Sequence, residues 1–513
     1  MSRKIKIKSV GCFERISPPV FLISASIMLI LIILCSFFTQ WSENFFQSVQ
    51  KTITFYFGWV FTAATSFFLI FTTALALSRY GKVRLGDPDE KPAFKGITWF
   101  AMLFSAGMGI GLVFWSIAEP ITHYIKPPIG IGKTSLAKEL AMEFTYFHWG
   151  LHAWAIFMVS ALSLSYFSYC KGLPLTIRSV FYPILGEKIF GPAGHVIDIF
   201  AVVGTMFGIS TSLGLGAMQV NSGLNFIMKI PISYLSQIIL IIIITAVATV
   251  SVLLGLEKGV SRLSKLNLWL AGLLLLLITS FGPTNYVIQN FFDSIQGYFR
   301  SILVFIFMGE KISDSTWRSS WTTFYWAWWV SWAPFVGMFI ARISRGRTIR
   351  QLILAGLFGP SLVTFLWLSI FGGTALNLEI VQNKPISEAV FDNIGTSLFI
   401  TIEHLPFHEI LAVLSTIVII VFFVTSSDSG SLVIDMLTAG GDPNPPVNQR
   451  VFWALMEGAI AIALLLAGGL STLQTATIAS GFPLTLLLMV MCFALSKALR
   501  EDFSKIQKEK KTE

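Results

Sequence analysis

Apolar runs long enough to cross a bilayer recur along almost the whole chain, and this limits the fold more than any single motif. In hydrocarbon every backbone N–H and C=O needs a partner within the protein, so a spanning segment is a helix or part of a closed barrel. A helix rises about 1.5 Å per residue, so runs of about 20 apolar residues fit the helical solution. Twelve such spans can be drawn, near 20–38, 53–78, 98–118, 151–169, 196–224, 234–254, 266–287, 320–343, 351–376, 408–438, 451–469 and 475–496. Charged residues make up 12% of the chain, against about 25% in soluble domains. The expected fold class is an all-α polytopic membrane protein. The first run, Val20–Phe38, is long enough to remain as a span and lacks a small-residue cleavage site. Two longer connections, 288–319 and 377–407, carry amphipathic stretches such as Ile386–Ile400, expected along the outer surface. The four cysteines, Cys12, Cys35, Cys170 and Cys492, are scattered in or beside spans and suggest neither a disulfide framework nor a metal site.

The basic residues orient these spans. With the N-terminus inside, 27 of the 36 Lys and Arg fall in inner segments and 9 in outer ones. That asymmetry is what the positive-inside rule requires of twelve spans with both ends in the cytoplasm. The net charge of +9 is thereby explained without a nucleic-acid partner.

The span from Trp321 to Ile343 is unlike the others. Five of the chain's 15 tryptophans, Trp321, Trp326, Trp328, Trp329 and Trp332, fall in its first twelve residues, and it ends in Arg342, Arg345, Arg347 and Arg350. Trp321 and Trp326 fit interfacial anchors. Trp328, Trp329 and Trp332 lie too deep for that role and sit within one turn of each other. Span 4 reads FHWGLHAWAIF, and Trp149, Trp154 and Phe157 share an arc of about 140° on a helix. Two such stripes, if they meet, suit a cation that has no hydrogen bond to donate, because indole faces attract such a charge; ordinary core packing is the alternative.

Span 3 carries SAGMGIG, Ser105–Gly111, whose three glycines favour an unwound break. A break frees backbone N–H groups for an anion and carbonyls for a cation. Span 5 carries Thr205, Ser210, Thr211 and Ser212 among glycines, and span 10 carries Thr425, Ser426, Ser427, Asp428, Ser429 and Gly430. Polar, glycine-broken segments at matching places in two five-span halves point to an inverted-repeat transporter. Hydroxyls at Thr425 and Ser426 and the Phe422 carbonyl, near Ser105 and Met108, would form an oxygen cage for Na⁺; bonds back to their own helix are the alternative.

The intramembrane charges are Glu119, Asp198, Asp428, Asp435 and Glu457, functional candidates by default. Glu119 and Asp435 read as lying near span ends. Asp428 either tunes the cage or bonds within its helix. His148 and His152 flank Trp149 with no third metal ligand evident, which favours a structural or interfacial role. There is no HExxH, no phosphate loop and no nucleophile elbow, so an enzyme is not expected.

These residues resemble the betaine/choline/carnitine transporter family. The likeness runs through nearly all twelve spans. It is most specific in SAGMGIGLVFWSIAEP (105–120), FHWGLHAWAIF (147–157), GTMFGISTSLGLGA (204–217), FYWAWWVSWAPFVGMFIARISRGRTIR (324–350) and FFVTSSDSGSLV (422–433). The resemblance implies that spans 3–12 form a LeuT-like inverted repeat of five plus five helices behind two extra N-terminal helices. The chain then divides into 1–97 (tail and two peripheral helices), 98–497 (transport core) and 498–513 (short basic tail). It implies a homotrimer in the bacterial cytoplasmic membrane. It implies a trimethylammonium substrate held by Trp149, Trp154, Phe157, Trp328, Trp329 and Trp332, beside Ala106, Gly107, Met108 and Gly111 at the break. Family members often have Tyr at the place of Phe157. Sodium-coupled members are similar at Ser105, Met108, Phe422, Thr425 and Ser426, one Na⁺ site. A second site uses two span 5 threonines four apart, of which this chain has Thr205 and then Ile209. Choline-transporting relatives often carry Asp at the place of Gly111, so glycine betaine ranks first here. Proton-coupled choline uptake and sodium-independent carnitine exchange are the alternatives. Na⁺ as coupling ion is the only inorganic partner expected, and Lys505, Lys508, Lys510 and Lys511 are placed to meet anionic lipid.

Overall fold

The computed structural model describes residues 5–107, 109–254, 261–312 and 315–512. Among the described residues the only sheet is a two-stranded antiparallel hairpin, β1 (Lys8–Val10) with β2 (Phe13–Ile16). The elements that follow it, among the described residues, are helices joined by loops, with one isolated β-bridge between Arg84 and Thr348. In order come α1 (Pro18–Phe37), α2 (Thr39–Leu77), α3 (Gly96–Gly107), α4 (Ile110–Ile125), α5 (Ser135–Trp149) and α6 (Leu151–Ser165). Then come α7 (Tyr182–Leu185), α8 (Pro192–Met228), α9 (Tyr234–Leu254), α10 (Ser261–Phe281), α11 (Thr284–Ile312), α12 (Ser315–Ser320) and α13 (Thr322–Ile343). The rest are α14 (Ile349–Ile380), α15 (Ile386–Asp392), α16 (Ser397–Glu403), α17 (His408–Thr438), α18 (Val447–Leu466) and α19 (Gly469–Thr512). Local signals set several ends. Prolines open α1 and α8, and a capping box of Thr348 with Gln351 opens α14.

Among the described residues ten helices are long and apolar enough to cross a membrane. The difference from twelve has identifiable causes. Span 3 is divided at Gly107–Gly109 into α3 and α4, each too short by itself. The apolar part of α10 is short, Lys265–Phe281. Helix α13 is aromatic rather than aliphatic. Conversely Thr284–Met308, read from the sequence as a connection, qualifies by composition.

Among the described residues the spans read from the sequence are interrupted at two glycine-bearing breaks, and one was not expected. The SAGMGIG break is present: α3 ends at Gly107, and Gly109 is extended before α4 begins. A second lies at Gly150, between α5 and α6, where a β-carbon would stand 2.6 Å from Phe365 Cζ and from the Tyr146 carbonyl. The glycine-rich segments of α8 and α17, expected to be broken, are continuous helix. Their glycines serve packing instead. Ile209 meets Gly430, Gly216 meets Phe423 and Gly223 meets Thr416. Each step is seven residues forward on α8 and seven back on α17, so the two helices lie antiparallel with backbones drawn close by small residues. Likewise α13 is continuous, and all its residues from Thr322 to Met338 are buried. A helix buried on every face belongs to the centre of the molecule. The amphipathic stretch after α14 forms α15 and α16, with Ile386, Val390, Leu398 and Phe399 turned inward. The basic tail continues α19 rather than forming a separate segment.

Candidate functional site

The two aromatic stripes meet. Trp149 ends α5, and the turn at Gly150 redirects the chain so that Trp154 and Phe157 of α6 follow on the same side. Trp149 packs edge-on against Trp329, with ring centroids 4.9 Å apart, and against Trp328 at 6.3 Å. Trp328 and Trp329 are stacked at 5.3 Å. Phe157 stands edge-on between Trp154 (5.5 Å) and Trp329 (5.9 Å), and Trp332 joins through Trp328 at 6.4 Å. All six expected rings therefore form one connected cluster. Trp326 is not the interfacial anchor its position suggested: it is fully buried against Phe147, His148 and His152. Trp321, half-buried, packs against Trp115 and His123.

The glycines of the break seat the indoles. A β-carbon on Gly107 would lie 2.4 Å from Trp154 Cη2, and one on Gly111 would lie 2.1 Å from Trp328 Cη2. One on Gly109 would lie 3.2 Å from Trp332 Cη2 and 3.4 Å from Ser426 Oγ. Three alternate glycines thus accept three tryptophans from two other helices. Any larger residue would displace a ring, which is a stronger reason for glycine than backbone freedom alone. Of the other residues expected here, Met108 lies outside the described residues, as do the side chains of Ser105 and Ala106.

Sequence reasoning misplaced Glu119 and missed Tyr325. Helix α4 runs on through Pro120 to Ile125, so Glu119 is not at a span end but fully buried behind the rings. Trp149 Nε1 donates to its Oε2 at 2.8 Å and the Tyr325 hydroxyl donates to the same oxygen at 2.5 Å. His148 Nδ1 lies 2.7 Å and His123 Nε2 3.3 Å from Oε1. His148 Nε2 reaches Thr322 Oγ1 at 3.0 Å, and Trp329 Nε1 donates to the His148 carbonyl at 2.8 Å. One carboxylate therefore orients rings on three helices. It also corrects the reading of His148, which is neither interfacial nor isolated: Glu119 and His123 bring ligand-type atoms within 4.8 Å of it. His152 is separate, packed on Phe147 and Trp326. The available signal was Glu119 with His123 one turn on, a polar pair on an otherwise apolar face.

The hydroxyl cluster is only partly assembled. Thr425 Oγ1 donates back to the Val421 and Phe422 carbonyls at 2.9 and 3.2 Å, the within-helix alternative. Ser426 instead faces Gly109 across the break. Phe422, Thr425, Ser426 and Trp332, with Phe104, Asn267 and Phe339, line a cleft of about 190 Å³. This cleft lies toward the arginine end of α13. Thr205 Oγ1 is buried with no hydrogen-bond partner among the described residues. Ser210 and Thr211, the span 5 hydroxyls next to Ile209, are engaged elsewhere. Ser210 donates to the Glu457 carbonyl, and Thr211 bonds to the Leu473 carbonyl and Thr477. Asp428 accepts from Ser251 of α9 at 2.5 Å, so it bonds across helices rather than within its own. Glu457 accepts from Ser427 at 2.9 Å, and Asp198 holds Arg178 Nε at 2.5 Å.

This arrangement is a cluster of aromatic rings packed against a helix break. The family model for betaine/carnitine/choline transporters matches residues 19–504. A glycine betaine transporter of Bacillus subtilis is 45% identical over 472 residues, 91% of this chain and 92% of that protein. A glycine betaine transporter of Acinetobacter baylyi is 44% identical over 501 residues, 98% of this chain and 76% of that protein. A glycine betaine/proline/choline transporter of Vibrio parahaemolyticus is 43% identical over 501 residues, 94% of this chain and 90% of that protein. The chain belongs to the betaine/carnitine/choline transporter family and is a membrane transporter, not an enzyme.

Proposed function

We propose that this protein is a sodium-coupled symporter that takes up glycine betaine, or a closely related trimethylammonium osmolyte, by alternating access. The observation that carries the reading is the interlock of Gly107, Gly109 and Gly111 with Trp154, Trp332 and Trp328. The break whose freed backbone suits a carboxylate is in direct contact with the rings that suit a quaternary ammonium. A zwitterion with both groups a few bonds apart fits that juxtaposition. In this reading Trp149, Trp154, Phe157, Trp328, Trp329 and Trp332 surround the headgroup. Phe422, Thr425 and Ser426, with Ser105 and Met108, hold one Na⁺, and Thr205 belongs to a second site weakened by Ile209.

The chain has twelve spans in this proposal, the last ten forming a LeuT-like repeat, with both termini in the cytoplasm. The cleft beside Trp332 then faces inward, and transport rocks α3 and α4 against the continuous α13. The molecule works as a homotrimer in the bacterial cytoplasmic membrane, and the basic end of α19 meets anionic lipid. The relatives named as glycine betaine transporters support the substrate. Ile209 favours a second reading, sodium-independent exchange. One experiment separates the two: uptake of labelled glycine betaine by a transport-deficient bacterium expressing the protein, with external Na⁺ replaced by K⁺. Loss of uptake supports the symporter, and undiminished uptake overturns it.

A further inference from the structure

We propose that Glu119 is a selectivity residue of the aromatic box: its carboxylate makes the rings more attractive to a cation by polarising Trp149 and Tyr325 from behind. The inference rests on the box reading above and adds the residue that tunes it. Glu119 is fully buried, so water does not screen its charge. Its two oxygens receive four polar contacts. Trp149 Nε1 at 2.8 Å and the Tyr325 hydroxyl at 2.5 Å share Oε2, while His148 and His123 approach Oε1 at 2.7 and 3.3 Å. In this proposal the carboxylate is ionised, and because none of the four is a fixed cation its charge is spread by hydrogen bonds without being cancelled by a lysine or arginine.

Chemistry makes two of these contacts informative. An indole N–H can only donate. When it donates to an anion, electron density moves away from the shared hydrogen and into the ring, because hydrogen-bonded groups in a low-dielectric interior polarise one another. The ring face, already the negative end of its quadrupole, becomes more negative. The same holds for a phenol O–H. Trp149 and Tyr325 stand 5.5 Å apart, and both adjoin Trp329, at 4.9 and 6.2 Å. The two polarised rings thus flank the ring that joins the α5–α6 stripe to the α13 stripe. Glu119 need not touch the substrate, because it acts through the walls.

A residue that only held the rings in place would serve any ligand of the right shape. One that charges them serves only a cationic headgroup. Tert-butylacetate has the shape and carboxylate of glycine betaine with carbon in place of the ammonium nitrogen, so the two ligands separate the roles. The wild-type protein in proteoliposomes is expected to prefer betaine strongly in competition for labelled betaine uptake. Glu119→Gln keeps the side-chain shape and removes the charge. Its affinity for betaine is expected to fall about tenfold, with tert-butylacetate inhibition unchanged within twofold, so the preference shrinks. Glu119→Asp retains the charge and is expected to retain the preference even where both affinities drop. If Glu119→Gln does not insert, Tyr325→Phe carries the test: it removes one polarised donor, and the same ratio is expected to fall part-way. Equal losses for both ligands in Glu119→Gln or Tyr325→Phe, leaving the ratio unchanged, or loss of the preference in Glu119→Asp, overturns the proposal. A wild type that binds both ligands alike would instead overturn the box reading on which it rests.

Discussion

Substituting alanine at Gly111 tests the interlock of break and box with a single methyl group. Its β-carbon would lie 2.1 Å from Trp328 Cη2 and 2.9 and 3.0 Å from the adjoining ring carbons. Ordinary carbon–carbon contacts lie at about 3.5–4.0 Å, so the indole must retreat by roughly 1.4 Å or more. Little room exists for that retreat. Trp328 is stacked between Phe324, at 5.4 Å and 19°, and Trp329, at 5.3 Å and 13°. Overpacking of this kind costs about 1–3 kcal/mol. Displacing one ring wall removes about 0.5–2 kcal/mol of cation attraction. Together these predict a rise of about tenfold or more in the betaine concentration for half-maximal uptake. Uptake kinetics in whole cells, normalised to protein in the membrane, measure it. Trp328→Phe lacks the benzo edge that the methyl group would strike. The double variant is therefore expected to be less impaired than the sum of the singles, a coupling that a mutant cycle reads directly. The same geometry bears on Gly111→Asp. A carboxylate there would suit choline's net charge, yet its β-carbon collides with Trp328, so loss of betaine uptake without a gain of choline uptake is expected. A Gly111→Ala protein with wild-type half-saturation would show that Trp328 does not occupy this place during transport.

Trp329→Leu, which removes the ring that joins both stripes, is expected to abolish high-affinity uptake, whereas half-buried Trp321→Leu matters little; equal losses in a side-by-side uptake assay would make the cluster merely structural. Thr425→Ala combined with Ser426→Ala is expected to raise the Na⁺ concentration for half-maximal uptake, and unchanged sodium dependence would place the coupling site elsewhere. Asp198→Ala leaves the buried Arg178 without its partner, which costs about 3–5 kcal/mol. Heating followed by size-exclusion chromatography is expected to show less folded protein than wild type, and equal heat resistance would refute that accounting.

Composition and spacing alone determined that the chain is a helical membrane protein, that SAGMGIG breaks a span, that Trp149, Trp154 and Phe157 share one side of span 4, and that Trp328, Trp329 and Trp332 crowd together on another span; that the two groups meet is tertiary. These properties are local. Hydropathy over twenty residues, glycine density over seven and angular spacing around one helix require no knowledge of neighbours. The tertiary structure decided the rest. Whether a glycine-rich stretch unwinds depends on what packs against it. The α8 and α17 glycines are needed for close antiparallel contact and stay helical, whereas those at 107, 109 and 111 receive indoles at a true break. Whether Thr425 faces an ion or its own helix depends on carbonyls four residues back competing with a partner across the break. The charge of Glu119 was visible in the sequence, but its place was not, because it is defined by Trp149, His148 and Tyr325, 29 to 206 residues away along the chain. A buried carboxylate declares its role through its donors, and here most of those donors come together only when α4, α5 and α13 pack.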